Sequence, residues 1–409
     1  MRRFITNVVL SALLAPVVFA GGSVYTRYGF GDLLFFGGNR SFALGGTGIG
    51  LVSGDFINRL NPASLSKITL TRFSGSFYFN SISSKAPEGS SSYSNFGLQG
   101  IAVAIPISKD HGIVLGVEST PLSLVSYAVV RTQDTLGIAS TQNVYGSGGL
   151  SQFALALSYS PTRFVHTGAR LNYVFGRLHQ YTKLSFTDPS FSNATNDFSV
   201  YYSGVSLTLG VMLERVGEHL GISGLDKLDA GFILTTPADL KANRQNSYIT
   251  DSVLTITTKS TSTIPAVLGF GVSYPLNQRL LLTSDVVLQS WSGATFEGAT
   301  QAQLRNAFRV AVGAELLPQA NGDSYWKRVA YRAGAGFHQT YYQMNGTGID
   351  EFFFSGGLGL PLLLEGRLNI GVQVGMRGTT AQRLEKETFV RLSVGISGTE
   401  AWFMKFDED

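Results

Sequence analysis

The sequence predicts an all-β protein, a transmembrane antiparallel β-barrel of about fourteen strands with an N-terminal lumenal hatch. Three observations predict it. Apolar residues recur with a period of two rather than 3.6. The connectors between the alternating segments sort into short and long classes that take turns along the chain. Charged residues make up only 14% of the 409 residues, against roughly 25% in ordinary globular domains. After the first twenty residues, no apolar run reaches the 18 or so needed for a membrane helix. A barrel reconciles these features, because every second side chain can face lipid while its neighbours stay polar.

The chain opens with Arg2 and Arg3, then a mostly apolar stretch from Phe4 to Val18, then Val18-Phe19-Ala20 with small residues at −3 and −1. This tripartite pattern reads as a secretory signal peptide over 1–20. Asn7 and Pro16 interrupt the apolar stretch and argue against a retained anchor. Residues 21–66 form the predicted hatch, and 67–409 the barrel. Cysteine is absent, which excludes disulfides, thiolate metal sites and cysteine nucleophiles. A net charge of +4, scattered along the chain, gives no footprint for nucleic acid.

The alternation is clearest in the second half. Phe308, Val310, Val312, Ala314 and Leu316 alternate with Arg309, Ala311, Gly313 and Glu315. Leu368, Ile370, Val372, Val374 and Met376 alternate with Asn369, Gly371, Gln373 and Gly375, and Val390, Leu392, Val394 and Ile396 repeat the pattern. Fourteen such segments are predicted at 67–79, 93–107, 112–126, 150–160, 166–183, 199–216, 228–237, 263–275, 279–291, 305–317, 328–343, 351–362, 367–378 and 388–403. Short turns fall at Lys109-Asp110, Pro161-Thr162, Pro275-Leu276-Asn277 and Leu364-Glu365-Gly366. Long loops fall at 80–92, 127–149, 184–198, 238–262 and 292–304. This segregation predicts short periplasmic turns and long extracellular loops, with an even strand count placing both chain ends on the periplasmic side. Tyr159, Tyr274 and Trp402-Phe403 mark one aromatic girdle, and Trp291, Tyr341-Tyr342 and Phe352-Phe353-Phe354 the other. An unpaired backbone group in lipid costs several kcal/mol, so the last strand must close on the first.

Residues 21–66 break the alternation and are rich in glycine. A segment this long and apolar, ahead of a barrel too wide for its own side chains to fill, is expected inside the lumen. The run Ala43-Leu44-Gly45-Gly46-Thr47-Gly48-Ile49-Gly50 superficially suggests a phosphate cradle. It lacks the strand–helix frame and the following acid that a nucleotide site requires, so close packing is the better reason for its glycines. With Ser41-Phe42-Ala43-Leu44-Gly45-Gly46, then Asp55 and Asn61-Pro62-Ala63, the segment resembles the N-terminal signature of the long-chain fatty-acid transporter (FadL-type) outer-membrane family. The C-terminal third, with Leu358-Gly359-Leu360-Pro361, Gly371 and Arg377-Gly378-Thr379-Thr380, is similar to a poorly characterised branch of it. The resemblance implies a fourteen-stranded barrel, a hatch whose motif residues are Gly45, Gly46, Asp55, Asn61, Pro62 and Ala63, and a place in the bacterial outer membrane. The residues with which that family grips a fatty-acid chain have no match here, so substrate identity does not carry over.

Chemistry is sparse. His111, His166, His179, His219 and His338 show no metal-ligand spacing, and neither His-Glu-x-x-His nor Gly-x-Ser-x-Gly occurs. Neither an enzyme nor a cofactor is predicted. By strand parity Arg170, Arg305, Arg309, Arg332, Arg367, Arg377 and Arg391 face the lumen, with Asp285, Glu315, Glu351 and His338. Two readings stand. The arginines pair with these acids and with Asp32 and Asp55 of the hatch, with Arg309, Arg332 and Arg391 helping to hold it, or they make a positive lumen that attracts an anionic solute. The function expected is passive uptake of small hydrophobic molecules, fatty-acid-like or aromatic, through a hatch-gated barrel. The alternative is a non-transporting barrel that serves a protein secretion or surface-anchoring system, like the PorV-type proteins. Expected partners are outer-membrane lipid, a hydrophobic small molecule and the outer-membrane assembly machinery.

Overall fold

The computed structural model describes residues 22–400, except 36, 88, 136–137, 251, 320–321 and 363–365. The predicted signal peptide, Gly21 and Trp402-Phe403 lie outside the described residues. Among the described residues the chain crosses the barrel wall fourteen times. The first six passes are Thr71–Ala86, Gly89–Ser108, Ile113–Pro121 with Ser123–Thr135, Ile138–Tyr159, Val165–Phe186 and Ala194–Leu213. The seventh is Asp229–Thr235 with Ala238–Ile249, and the eighth Val253–Ile264 with Val267–Pro275. The last six are Leu280–Gln289, Ala307–Leu316, Ala330–Met344, Thr347–Pro361, Arg367–Gly378 and Lys386–Glu400. Consecutive passes pair antiparallel, and the last closes on the first, from Thr71 opposite Glu400 to Lys85 opposite Lys386.

The predicted faces hold. Val312, Val372, Val374, Val390 and Ile396 are exposed on the outside, while Arg309, Glu315, Gln373 and Ser393 are buried. No described helix is long and apolar enough to cross a membrane; this chain crosses with strands.

Several expectations need correction. The predicted loops at 80–92, 127–149 and 238–262 are mostly hairpin arms, because the first, third and seventh passes and their partners run on to Ala86, Thr135 and Ile249. Above the lipid the outer face of a strand meets water, so serine and threonine can continue a ladder that reads as a loop in sequence. Two connectors on the side away from the long hairpin arms, 214–228 with its short helix Val216–Leu220 and 317–329 with a 3-10 turn at Tyr325–Arg328, are longer than a barrel turn needs. The first pass begins at Thr71 rather than 67, since the preceding residues belong to the 3-10 turn Pro62–Lys67.

The upper aromatic girdle is also smaller than predicted. Phe352 and Phe354 are exposed, but Trp291, Tyr341, Tyr342 and Phe353 are buried. A register shift between Gln339 and Gln343 turns Tyr341 and Tyr342 inward. There they join Tyr25, Phe30 and Phe296 in an aromatic cluster over the N-terminal segment, with Trp291 and Tyr341 centroids 4.4 Å apart.

Candidate functional site

Residues 22–70 run through the inside of the ring and touch its wall on nearly every side. Gly45 and Gly46 adopt positive φ, +74° and +83°, which a side chain would strain. Their carbonyls accept Arg309 Nη2 at 2.8 Å and Nη1 at 3.3 Å. Asn61 caps the Pro62–Lys67 turn by accepting the Ala63 N–H at 3.1 Å, and its amide donates to Ile49 O and to Val211 O on the sixth pass. One side chain thus joins its own turn, an earlier loop and the wall. Pro62 and Ala63 lie against Gly168 and Gly210, where the wall carries no side chain. The same holds where Ile49 meets Gly231, Leu44 meets Gly313 and Gly45 meets Gly334: a Cβ on any of these glycines would collide with the segment's backbone. A belt of glycines, each within four residues of the strand end away from the long hairpin arms, therefore receives the segment.

The charged residues favour pairing over an open positive lumen. Glu315 accepts Arg332 Nε at 2.8 Å on one oxygen and Arg40 Nε at 2.8 Å on the other, bridging wall and segment. Arg377 holds Glu387 through two nitrogens, at 2.9 and 2.6 Å, and reaches Asp32 of the segment at 2.8 Å. Asp285 accepts the Gly48 and Ile49 N–H groups at 2.7 and 2.9 Å. Arg391 makes a two-nitrogen pair with Glu351, at 2.8 and 3.0 Å, and among the described residues donates no hydrogen bond to the segment. Of the three arginines expected to hold the segment, Arg309 does so directly and Arg332 through Glu315; Arg391 braces the wall. Asp55 is 82% exposed at its side chain, and its ion pair is with Arg72, at 3.7 Å, rather than with a lumenal arginine. His338 is buried with its ring edge-on to Phe35, 5.1 Å between centroids, and its Nε2 has no partner. Among the described residues no group of acids and histidines could hold a metal ion.

Three features escaped the sequence reading. Arg40 and Arg59 are, with Arg27, the only arginines in residues 22–70, and that rarity was a usable signal. The third feature is three broken passes, at Pro121-Leu122, Thr236-Pro237 and Pro265-Ala266. Each carries a proline, which cannot donate to a ladder. The first break has the largest effect. Ile113–Pro121 pairs with both neighbours, from Ile101 opposite Ser119 downward. Past the break, Ser123–Thr135 pairs with the fourth pass and with Asp32 and Leu33 of the segment. Among the described residues, 89–100 of the second pass has no partner on that side. The wall is parted there. Arg59 reaches the exposed edge from inside and donates to Gln99 O at 3.3 Å.

Directly behind the break lies a cavity of about 180 Å³. It is lined by Pro121 and Leu122 of this break, by Thr236 and Pro265 of the other two, and by Leu34 and Phe35 of the segment.

A family model described as BamG matches residues 1–407. The chain belongs to the BamG family. This BamG-family barrel also shares its fold with solved outer-membrane barrels of low sequence identity. The Ralstonia pickettii toluene transporter TbuX matches at a TM-score of 0.57 and 17% identity, over 88% of this chain and 98% of that one. The P. putida toluene transporter TodX matches at 0.60 and 15%, over 89% and 98%. A Pseudomonas aeruginosa FadL homologue matches at 0.62 and 14%, over 90% and 99%. The FadL-type architecture implied by the N-terminal motifs is thus the architecture observed. No curated protein matches the sequence.

Proposed function

We propose that this protein is a bacterial outer-membrane barrel that passes small hydrophobic molecules, with residues 21–66 as its hatch. The observation that carries the proposal is the parted wall at the third pass with a cavity immediately inside it. A closed wall with a solid lumen would offer a hydrophobe no route. A gap bordered by leucine, phenylalanine and proline offers it a path out of the lumen that avoids the aqueous phase. Transporters of toluene share the fold. In this reading the hatch motif residues Gly45, Gly46 and Asn61 to Ala63 seat the segment, and Arg309, Arg332, Arg377 and Glu315 tie it. Arg391 and His338 shape the wall beside it, and diffusion down a gradient supplies the driving force.

A second reading has its own support. Membership of the BamG family points to a relationship with outer-membrane assembly machinery, and a lumen filled by so well tied a segment suits a barrel that acts as a companion rather than a channel.

One experiment separates the two. In a strain lacking the protein, initial uptake of labelled toluene and the abundance of other outer-membrane barrels are measured together. The first reading expects slower uptake with the other barrels unchanged. Unchanged uptake overturns it, and a general fall in barrel abundance supports the second.

A further inference from the structure

We infer that the cavity behind the wall break selects a neutral, one-ring-sized hydrophobe that carries a hydrogen-bond donor, of the phenol or aromatic-amine class, and that Glu118 is the group that reads the donor. The inference rests on the hydrophobic-passage reading and sharpens it. Size comes first. An apolar cavity of roughly 150 Å³ accommodates benzene, and this one measures about 180 Å³, enough for one substituted ring and too small for a long acyl chain.

Polarity comes second. Three guanidinium groups border the cavity, and each already donates to protein acceptors. Arg59 donates to Gln99 O and Ser76 Oγ, Arg170 to Arg59 O and Asn172 Oδ1, and Arg309 to Gly45 O and Gly46 O. Arg59 Nε is left without a partner among the described residues, and it lies by Gly38, which lines a different cavity. The carboxylates are not satisfied. Glu118 is 5% exposed; one oxygen has only a long contact to Arg170 Nη1, at 3.5 Å, and Oε2 has no partner among the described residues. Asp285, also at the cavity, leaves Oδ1 unpartnered. A buried carboxylate oxygen without a donor is costly to leave unmade. A ligand O–H or N–H supplies what the site lacks. A plain hydrocarbon leaves the deficit in place, and a carboxylate ligand adds a further acceptor.

Glu118 sits three residues before Pro121, so the same strand that breaks to open the wall places the carboxylate at the opening. Hydrocarbon and donor-bearing ring should therefore enter alike and differ in how long they stay.

Three probes of nearly equal size test this by fluorine NMR on the full protein in detergent: fluorobenzene, 4-fluorophenol and 4-fluorobenzoate. The variant Ala238→Leu, which fills the cavity, gives the micelle background. We expect 4-fluorophenol to bind about tenfold more tightly than fluorobenzene, the factor for one hydrogen bond to a charged group, and 4-fluorobenzoate to bind weakest. Glu118→Leu should bring the phenol and the hydrocarbon to within about twofold, as expected once that bond is gone. The ratio in the unsubstituted protein is decisive whether or not the variants fold. Equal binding of phenol and hydrocarbon overturns the donor preference and leaves hydrophobic passage standing. Tightest binding of the benzoate overturns it in favour of the arginines. Binding of none above the micelle level overturns both this inference and the passage reading.

Discussion

At the scale of single residues, the ties between segment and wall are buried ion pairs, and these punish the loss of one partner more than they reward the pair. Arg377 is the sharpest case, since its loss leaves both the buried Glu387 and Asp32 without their cation. Arg377→Met should cost about 3–5 kcal/mol, the usual range for breaking a buried pair, read as a fall in the unfolding midpoint from lipid vesicles; a variant as stable as the parent would refute that role. Glu214 offers a test by pH. It lies just past the sixth pass, where His166 Nε2 meets it at 2.7 Å and Lys67, the end of the segment's last turn, salt-bridges to it. Burial alone would raise its pKa, but hydrogen bonds from His166 and Lys67 outweigh burial and hold the carboxyl below its usual 4.5. A depressed folded value means the stabilisation is complete above 4.5 and is lost as pH falls through the lower folded value. The stability gap between the parent and Glu214→Gln should stay constant from pH ~7 to ~5 and narrow below about 4; a gap unchanged down to pH ~3 would contradict the assignment. Sequence alone showed which residues carry charge and which face they occupy. It could not show partners, because Glu315 meets Arg40 and Arg332 only once distant strands have found their register.

At the scale of elements, the strand pattern was legible because lipid outside and a packed lumen inside write two different alphabets on alternate residues. Where one of those environments ends, so does legibility. The hairpin arms above the membrane lost their apolar face and read as loops, and the bulge that buries Tyr341 and Tyr342 leaves no mark in the period. The prolines at 121, 237 and 265 were in plain view, but a proline in a strand says only that pairing fails there, not what lies behind it. The last pass pairs with the first along nearly its full length, so a chain ending at Gly378 should fail to insert rather than insert with reduced stability. The assay is protection from external protease and resistance to urea extraction of the membrane. A folded, protected product would show that closure is dispensable. Within the glycine belt, Gly334→Val should push the wall against the Gly45 backbone at a cost of roughly 1–3 kcal/mol for overpacking, with the unfolding midpoint as the measure. No loss would mean that the segment seats elsewhere.

At the scale of the whole molecule, the barrel and its contents divide the labour. The ring of fourteen passes satisfies backbone hydrogen bonds in lipid, and the N-terminal segment supplies the filling that a ring of this width lacks. A variant lacking residues 22–66 should conduct ions steadily in a planar bilayer, whereas the intact chain should conduct little; a silent variant would mean that the wall closes its own lumen. The glycine belt has a further consequence, for the order in which the molecule is made. The wall bares its backbone at these glycines to a segment that precedes every one of the fourteen passes in the chain, and the strand that seals the ring is the last. Content is therefore synthesised before container, and the final seam joins Thr71–Ala86 to Lys386–Glu400 around a cargo already tethered at Lys67. A barrel sealed empty would have to thread that cargo back through its own mouth, so the direction of the chain makes assembly in the productive order the short route.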